Sequence, residues 1–378
     1  MLGSINVRST VGWLVTNILV IAIISHHALA SEFDDYEQIG DFQFPTIGNP
    51  IDQGPVVFAN LSDGRLLGVS TLITDPDTNF SGLPKLYLET ATRSRQFELL
   101  GDLPLPAGGW SSGGGAFLSV SPGLSGERMI AVGNNRFDTP MVGLFREADL
   151  LAADEGPLPV DWFPVAHFGA AWFDDRYLAI SSGTFGSSDI RLLDTDSAPE
   201  SPVLSQVIGG IAGASAGVGF DSLGNLYTAN GFSDSTPGGS ATGTIKRFEA
   251  QVWQQAWDDG TPLSFETNGS EVATILSGGS LVFDHEDNLL VGGGDSFGGG
   301  QTNFFALVPG RGLGETPRIF DPGEEATSFY VLTYNDVTHE FYANEPFPGF
   351  PPTIDPTRVY TYRAGLPGDL DGDGGVDF

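Results

Sequence analysis

A motif recurs along this chain: an apolar strand, a tight acidic or glycine turn, a second apolar strand, then a loop of small residues. That weak repeat limits the possible folds more than any other feature. Six copies can be laid out, with first strands at Val56–Phe58, Ala116–Leu118, Ala171–Phe173, Val218–Phe220, Leu281–Phe283 and Val331–Thr333. Their turns centre on Gly64, Glu127, Asp175, Gly224, Asp287 and His339, at intervals of 63, 48, 49, 63 and 52 residues. Second strands begin at Leu66, Met129, Tyr177, Leu226, Leu289 and Phe341, and later strands are visible at Val142–Phe145, Ile190–Leu193, Thr244–Phe248 and Phe304–Val308. Three or four short strands per unit of about fifty residues mark a β-propeller blade. One blade cannot bury both of its faces, whereas ring packing covers each with two neighbours and leaves only short edges. The expected fold is therefore all-β, a six-bladed β-propeller over residues 31–364. Small residues precede the first strands at Gly113–Gly115, Gly169-Ala170, Ser215–Gly217 and Gly278–Ser280, where neighbouring backbones would converge on a channel. Phe42–Phe44 is expected to pair with Val359–Tyr362 and close the ring. The structural rival is a β-sandwich or two stacked β domains, and the regular spacing favours the ring.

The first thirty residues carry Arg8, an apolar run from Val11 to Ile24 and then Ala28-Leu29-Ala30. This is the pattern of a secretory signal peptide cleaved before Ser31. The run is short for a membrane span, which takes about 20 residues; an uncleaved N-terminal anchor is the alternative. No later segment is long enough to cross a bilayer, so no membrane span is expected after cleavage. Export without a single Cys points to a bacterial secreted, extracellular or cell-surface protein, because disulfides are the usual staple of the eukaryotic route. Lacking Cys, the chain can have no thiol nucleophile, zinc–thiolate site or iron–sulfur cluster. With 48 Asp+Glu against 16 Lys+Arg the net charge is −32, which repels nucleic acid and anionic lipid. A hydrophobic share of 40% still supplies a core, so the chain should fold despite that charge.

At Val218-Gly219-Phe220-Asp221-Ser222-Leu223-Gly224-Asn225-Leu226-Tyr227-Thr228-Ala229-Asn230 the chain resembles the blades of NHL-type and gluconolactonase-like propellers. Leu281-Val282-Phe283-Asp284-His285-Glu286-Asp287-Asn288-Leu289-Leu290-Val291 is similar to a looser copy. The resemblance covers about two of six copies and implies a propeller fold. Gluconolactonase-like enzymes hold a divalent metal in the channel with one Glu, two Asn and one Asp, the Asp lying in a Pro-Asp-Gly phrase. Here the corresponding positions read Ser215-Ala216-Gly217, a departure from that metal set.

The last residues, Pro367-Gly368-Asp369-Leu370-Asp371-Gly372-Asp373-Gly374-Gly375-Val376-Asp377-Phe378, follow the EF-hand calcium loop, with Asp at positions one, three, five and nine and Gly at six. In that loop Asp369, Asp371 and Asp373 would bind Ca2+ through carboxylates, Gly375 through its carbonyl and Asp377 through a water. The phrase resembles the start of a type I dockerin repeat after a linker, giving a third segment, 365–378. The resemblance implies a cohesin-type partner on a scaffold or cell surface. The loop ends at position ten without the twelfth-position carboxylate, so weak calcium binding is expected.

The catalytic motifs are sparse. Gly213-Ala214-Ser215-Ala216-Gly217 matches G-x-S-x-G but leads into a strand instead of a helix. His167, His285 and His339 fall in different copies without a short metal-binding spacing. Gly292–Gly300 is similar to a calcium-binding nonapeptide, but that architecture needs a tandem array. After the second strands, however, an amide or acid plus an aromatic recurs. Asn134, Asn135 and Phe137, Asn230, Phe232 and Asp234, Asp295 and Phe297, and Asn344 and Glu345 are thereby expected to line one face. Aromatic faces with nearby amides suit a carbohydrate or peptide ligand. The expected function is a secreted binding or interaction module, and the alternative is a propeller hydrolase or lyase acting on extracellular polysaccharide.

Overall fold

The structure, a computed structural model, describes residues 36–45, 57–70, 85–102, 115–134, 140–152, 161–184, 186–231, 243–275, 277–293, 305–308, 318–320, 331–344 and 358–364. By contact the chain divides into two units, Gly40–Thr361, and Met1–Ile39 together with Tyr362–Phe378. Of the second unit only two strand ends, 36–39 and 362–364, are described.

Strand β1 (Tyr36–Gln43) precedes five sheets that follow one another along the chain. The first holds β2 (Val57–Asn60), β3 (Leu66–Ser70), β4 (Lys85–Glu89) and β5 (Phe97–Asp102). The second holds β6 (Gly115–Val120), β7 (Met129–Asn134), β8 (Val142–Arg146) and β9 (Asp161–Phe163), with helix α1 (Glu147–Ala152) before its last strand. The third has β10 (Gly169–Trp172), β11 (Tyr177–Thr184), β12 (Ser187–Asp194) and β13 (Val203–Ala212), and the fourth β14 (Val218–Phe220), β15 (Leu226–Ala229), β16 (Gly243–Phe248) and β18 (Ser270–Ile275). An insertion before β18 carries α2 (Ala250–Asp258), β17 (Leu263–Ser264) and α3 (Phe265–Asn268), and β17 adds to the third sheet in parallel with β13. The fifth sheet is β19 (Ser280–Phe283), β20 (Leu289–Gly292), β21 (Phe305–Val308) and β22 (Arg318–Phe320). A closing sheet takes β23 (Val331–Asn335), β24 (Glu340–Asn344) and β25 (Arg358–Ala364), with β1 in the order β1-β25-β24-β23. The fold is an all-β propeller, and the sandwich rival is excluded. One expectation is revised: five sheets are blades built in chain order, whereas the last is a seam drawn from both ends of the chain and not a sixth like copy.

The turns explain why these residues form hairpins. Asp221 accepts the Leu223 amide at 3.0 Å, the Asn225 amide at 2.9 Å and the Asn225 side-chain amide at 2.8 Å. Asp284 does the same for Glu286 and Asn288, while Asp174 accepts the amides of Arg176 and Tyr177. Acids that read as bulk charge in the sequence are thus acceptors that close tight turns.

Side chains alternate across each strand and so feed two cores at once. Leu67 and Val69 pack with Ile130 and Val132 of the second sheet, whereas Leu66, one residue before them on the strand, faces Tyr342 and Val359 of the closing sheet. Leu178 and Ile180 pack toward the second sheet, and Ala179 toward Val218 and Leu226 of the fourth. Tyr227 likewise faces Leu281 and Val291 of the fifth. Burying each large apolar side chain is worth about 1.5–3 kcal/mol, so every seam stabilises both sheets that flank it. In the larger unit the innermost strands meet in a complete circuit, β2, β6, β10, β14, β19, β23 and β2 again. Phe44, fully buried, lies over Gly68, its ring 2.5 Å from where a Cβ would stand. Any larger residue at Gly68 would displace the aromatic plug of the closing seam.

Candidate functional site

The propeller has two unlike faces. The β14 and β19 strands run in the same direction, as the bond from the Gly217 amide to the Gly278 carbonyl (2.6 Å) and the approach of Gly219 to Leu281 require. The first-hairpin turns, residues 61–65, 121–128, 173–176, 221–225, 284–288 and 336–339, share one face, where each meets the next sheet. The second strands end, and the third strands begin, at the other.

On the hairpin face each seam is tied by a specific contact. Ser62 donates its amide to Glu147 at 2.9 Å, and the amides of Gly123 and Ser125 reach Asp175 at 2.7 and 2.5 Å. Phe173 meets Phe220, with ring centroids 5.4 Å apart, and the Ser222 amide and hydroxyl donate to Asp287. His285 Nδ1 and the Tyr334 hydroxyl lie 2.5 Å apart, and Asn335 donates to the Gly64 carbonyl at 2.8 Å. Partial loss of water works to raise Asp175, but the bonds from Ser125 and Gly123 outweigh it and hold the carboxyl below its usual range.

A cluster of titratable groups sits on this face. The rings of His285 and His339 meet edge to face at 4.1 Å, and His285 stacks on Tyr334 at 6.1 Å. Burial pushes the Tyr334 hydroxyl up. His339 is lowered, first by loss of water and then by the neighbouring His285 and Arg93, against the pull of Asp336 and Asp284. Asp336 is raised by loss of water around its carboxyl, although the residue is exposed overall, against Arg128, His339 and His285. Sequence spacing set these histidines apart, yet residues about one repeat apart are neighbours in a ring. Among the described residues no three His, Asp or Glu groups are placed to hold a metal ion.

Three of the residues expected to bind a ligand are described, and their strands end at the opposite face. Asn134 ends β7 opposite Gly115, Asn230 follows β15, and Asn344 ends β24 opposite Val331, so the three share that face. Two of them brace backbone. Asn230 accepts the Thr244 amide at 2.8 Å through its side chain, and its carbonyl receives the Gly278 amide at 3.0 Å, which links the fourth sheet to the fifth. Gly231 beside it stands so close to the Ala214 carbonyl that a Cβ would come within 2.0 Å. Asn344, buried, donates to the Arg358 carbonyl at 3.1 Å. Asn135, Phe137, Phe232, Asp234, Asp295, Phe297 and Glu345 lie outside the described residues. So do residues 1–30, expected to be a signal peptide, and Asp369, Asp371, Asp373, Gly375 and Asp377, expected to bind calcium. Ser215 takes a positive φ of 57° at the entry to β14, a turn into a strand and not the strand-to-helix elbow of a hydrolase.

No protein-family model matches the chain, and no curated protein is similar to it. Solved structures are similar in fold. The PQQ-bound aldose sugar dehydrogenase of Streptomyces coelicolor is 14% identical with a TM-score of 0.56, over 87% of this chain and 98% of that one. A protein of unknown function from Dyadobacter fermentans is 10% identical with a TM-score of 0.54, over 86% and 98%. An α-L-arabinofuranosidase of Fusarium graminearum in complex with an iminosugar inhibitor is 10% identical with a TM-score of 0.56, over 87% and 98%. At such identities the likeness is one of fold. Among the described residues no helix is long and apolar enough to cross a membrane.

Proposed function

We propose that this chain is a secreted or cell-surface propeller that binds a carbohydrate or peptide on the face where its second strands end. One observation carries the reading. The hairpin face is occupied by short turns that staple neighbouring sheets, while the second strands end at the other face, and it is at and just past those ends in the sequence that the amide and aromatic residues recur. Rigid strands that present long connections are the usual platform for recognition. Two fold neighbours are by name a sugar dehydrogenase and an arabinofuranosidase, which favours sugar over peptide as the ligand class.

The test is a glycan array with the secreted chain, followed by calorimetry on any hit with Phe137, Phe232 and Phe297 replaced together by Ala. At least a tenfold loss of affinity is expected, since each aromatic contact is worth about 0.5–1.5 kcal/mol and three are removed together. Unchanged affinity would overturn the assignment of this face. The arabinofuranosidase neighbour also favours a second reading, an extracellular polysaccharide hydrolase or lyase. New reducing ends released from bound polysaccharide would replace the binding role by that one.

The tail reads as a calcium-dependent docking segment for a cohesin-like or cell-surface partner. Four carboxylates in ten residues repel one another until a hard cation neutralises them. Calcium should bind in the millimolar range typical of weak extracellular modules or more weakly. Asp371→Ala should abolish that response while the propeller's melting temperature stays unchanged, and equal calcium heats for both chains would exclude the loop as the site.

A further inference from the structure

We propose that His285 and His339 form an acid-sensitive clasp between the fifth and closing sheets: neutral, the rings hold their two turns together, and doubly protonated, they drive them apart. The geometry supplies both states. His285 belongs to the 284–288 turn and is anchored by Tyr334 from the end of β23, its Nδ1 2.5 Å from the phenol oxygen. His339 closes the neighbouring turn at a left-handed φ of 56°, with its amide held by the Asn335 carbonyl at 2.8 Å. With the rings 4.1 Å apart, a proton on one opposes a proton on the other.

The other charges around the pair come from four sheets. Asp284 and Glu286 lie on the same turn as His285, and Asp287 beside them is engaged by Ser222 of the fourth sheet. The closing sheet supplies Asp336, near which Arg128 of the second sheet acts, and Arg93 of the first sheet donates to the Thr338 carbonyl at 2.8 Å. Asp336 and Asp284 favour a proton on His339, which the neighbouring His285 and Arg93 oppose.

The direction of the effect follows by linkage. Because His339 is lowered in the fold, the unfolded chain binds more protons just below the ordinary histidine value of about 6.5, so stability falls as pH drops through that window. Asp336 is raised, so its own contribution runs the other way, returning stability as pH falls from its folded value toward about 3.9. The clasp should therefore loosen in mild acid and recover in part below it.

Histidine-selective NMR titration of the secreted chain, paired with hydrogen exchange, decides the matter. In His285→Gln the remaining ring of the pair should take up its proton at higher pH, with an affinity gain of roughly threefold or more for a direct neighbour. In the unaltered chain the Asp284, Asp287 and His339 amides should exchange roughly tenfold faster in mild acid, after correction for intrinsic rates, and this acceleration should vanish in His285→Gln. The 221–225 turn is the internal control, since it has the same Asp–Asn framework without histidine. Tyr334→Phe, which keeps the ring but frees His285, should show the fast exchange already at neutral pH. If His339 titrates unmoved in His285→Gln, or the histidine turns exchange no differently from the 221–225 turn, the clasp does not exist.

Discussion

Arg95→Ala is expected to lower the stability of the propeller by about 3–5 kcal/mol, the usual cost of removing one partner from a buried ionic cluster. Glu89 and Glu340 are fully buried, and Arg95 answers both, at 3.5 and 2.5 Å. The Tyr342 hydroxyl donates to Glu340 at 2.7 Å, and the guanidinium covers the rings of Phe42 and Tyr342. Without Arg95 two carboxylates would remain in an apolar seam that otherwise holds Phe42, Phe44, Phe58 and Tyr87. That seam joins β24 of the closing sheet to the first sheet, so its loss opens the ring instead of loosening one surface. Arg93 provides the comparison. It also pairs with Glu340, at 3.1 Å, but its side chain is 48% exposed, and Arg93→Ala should cost under about 1 kcal/mol. Denaturant unfolding of both variants separates the cases: equal, small losses would mean that Arg95 does not close the ring.

The propeller was legible because its strongest determinants are local. Alternating apolar residues with an Asp or Gly turn every fifty residues describe one blade, and a blade with two apolar faces leaves ring closure as the economical way to bury both. The carboxylates of Asp221 and Asp284 fall on the very turns that the repeat marks. What could not be read is non-local. Arg95 and Glu340 are separated by 245 residues, and only the three-dimensional closure brings them together. Asn230 and Asn344 were expected from their type to face a ligand, but a residue's type does not tell that strand ends leave backbone amides and carbonyls in need of partners, which these side chains supply. The α2 helix falls outside the strand-and-turn repeat from which the fold was read, although Trp253 and Trp257, four residues apart, carry the helical period.

That helix is where the second large effect is expected. Trp253→Ala should cost about 3–5 kcal/mol, the range for truncating a fully buried aromatic residue. Trp253 is completely buried; its ring meets Phe173 of the third sheet at 4.8 Å and Phe220 of the fourth at 5.7 Å, and its Nε1 donates to the Gly224 carbonyl at 3.0 Å. The residue thus joins both sheets and the turn between β14 and β15, and its removal leaves a cavity together with an unanswered carbonyl. Trp257, one turn on, meets Tyr177 at 4.5 Å but is only half-buried, so Trp257→Ala should cost clearly less. Because α2 lies in the insertion before β18, an alternative is that the whole insertion is a surface addition with its own packing. The two views differ in what else fails. If Trp253 staples the third sheet to the fourth, Trp253→Ala should speed hydrogen exchange at the Asp221 and Gly224 amides, whose bonds close the 221–225 turn, as well as in the helix. If exchange rises in the helix alone and stability falls by less than about 1 kcal/mol, as surface substitutions do, the insertion is peripheral and the seam holds without it.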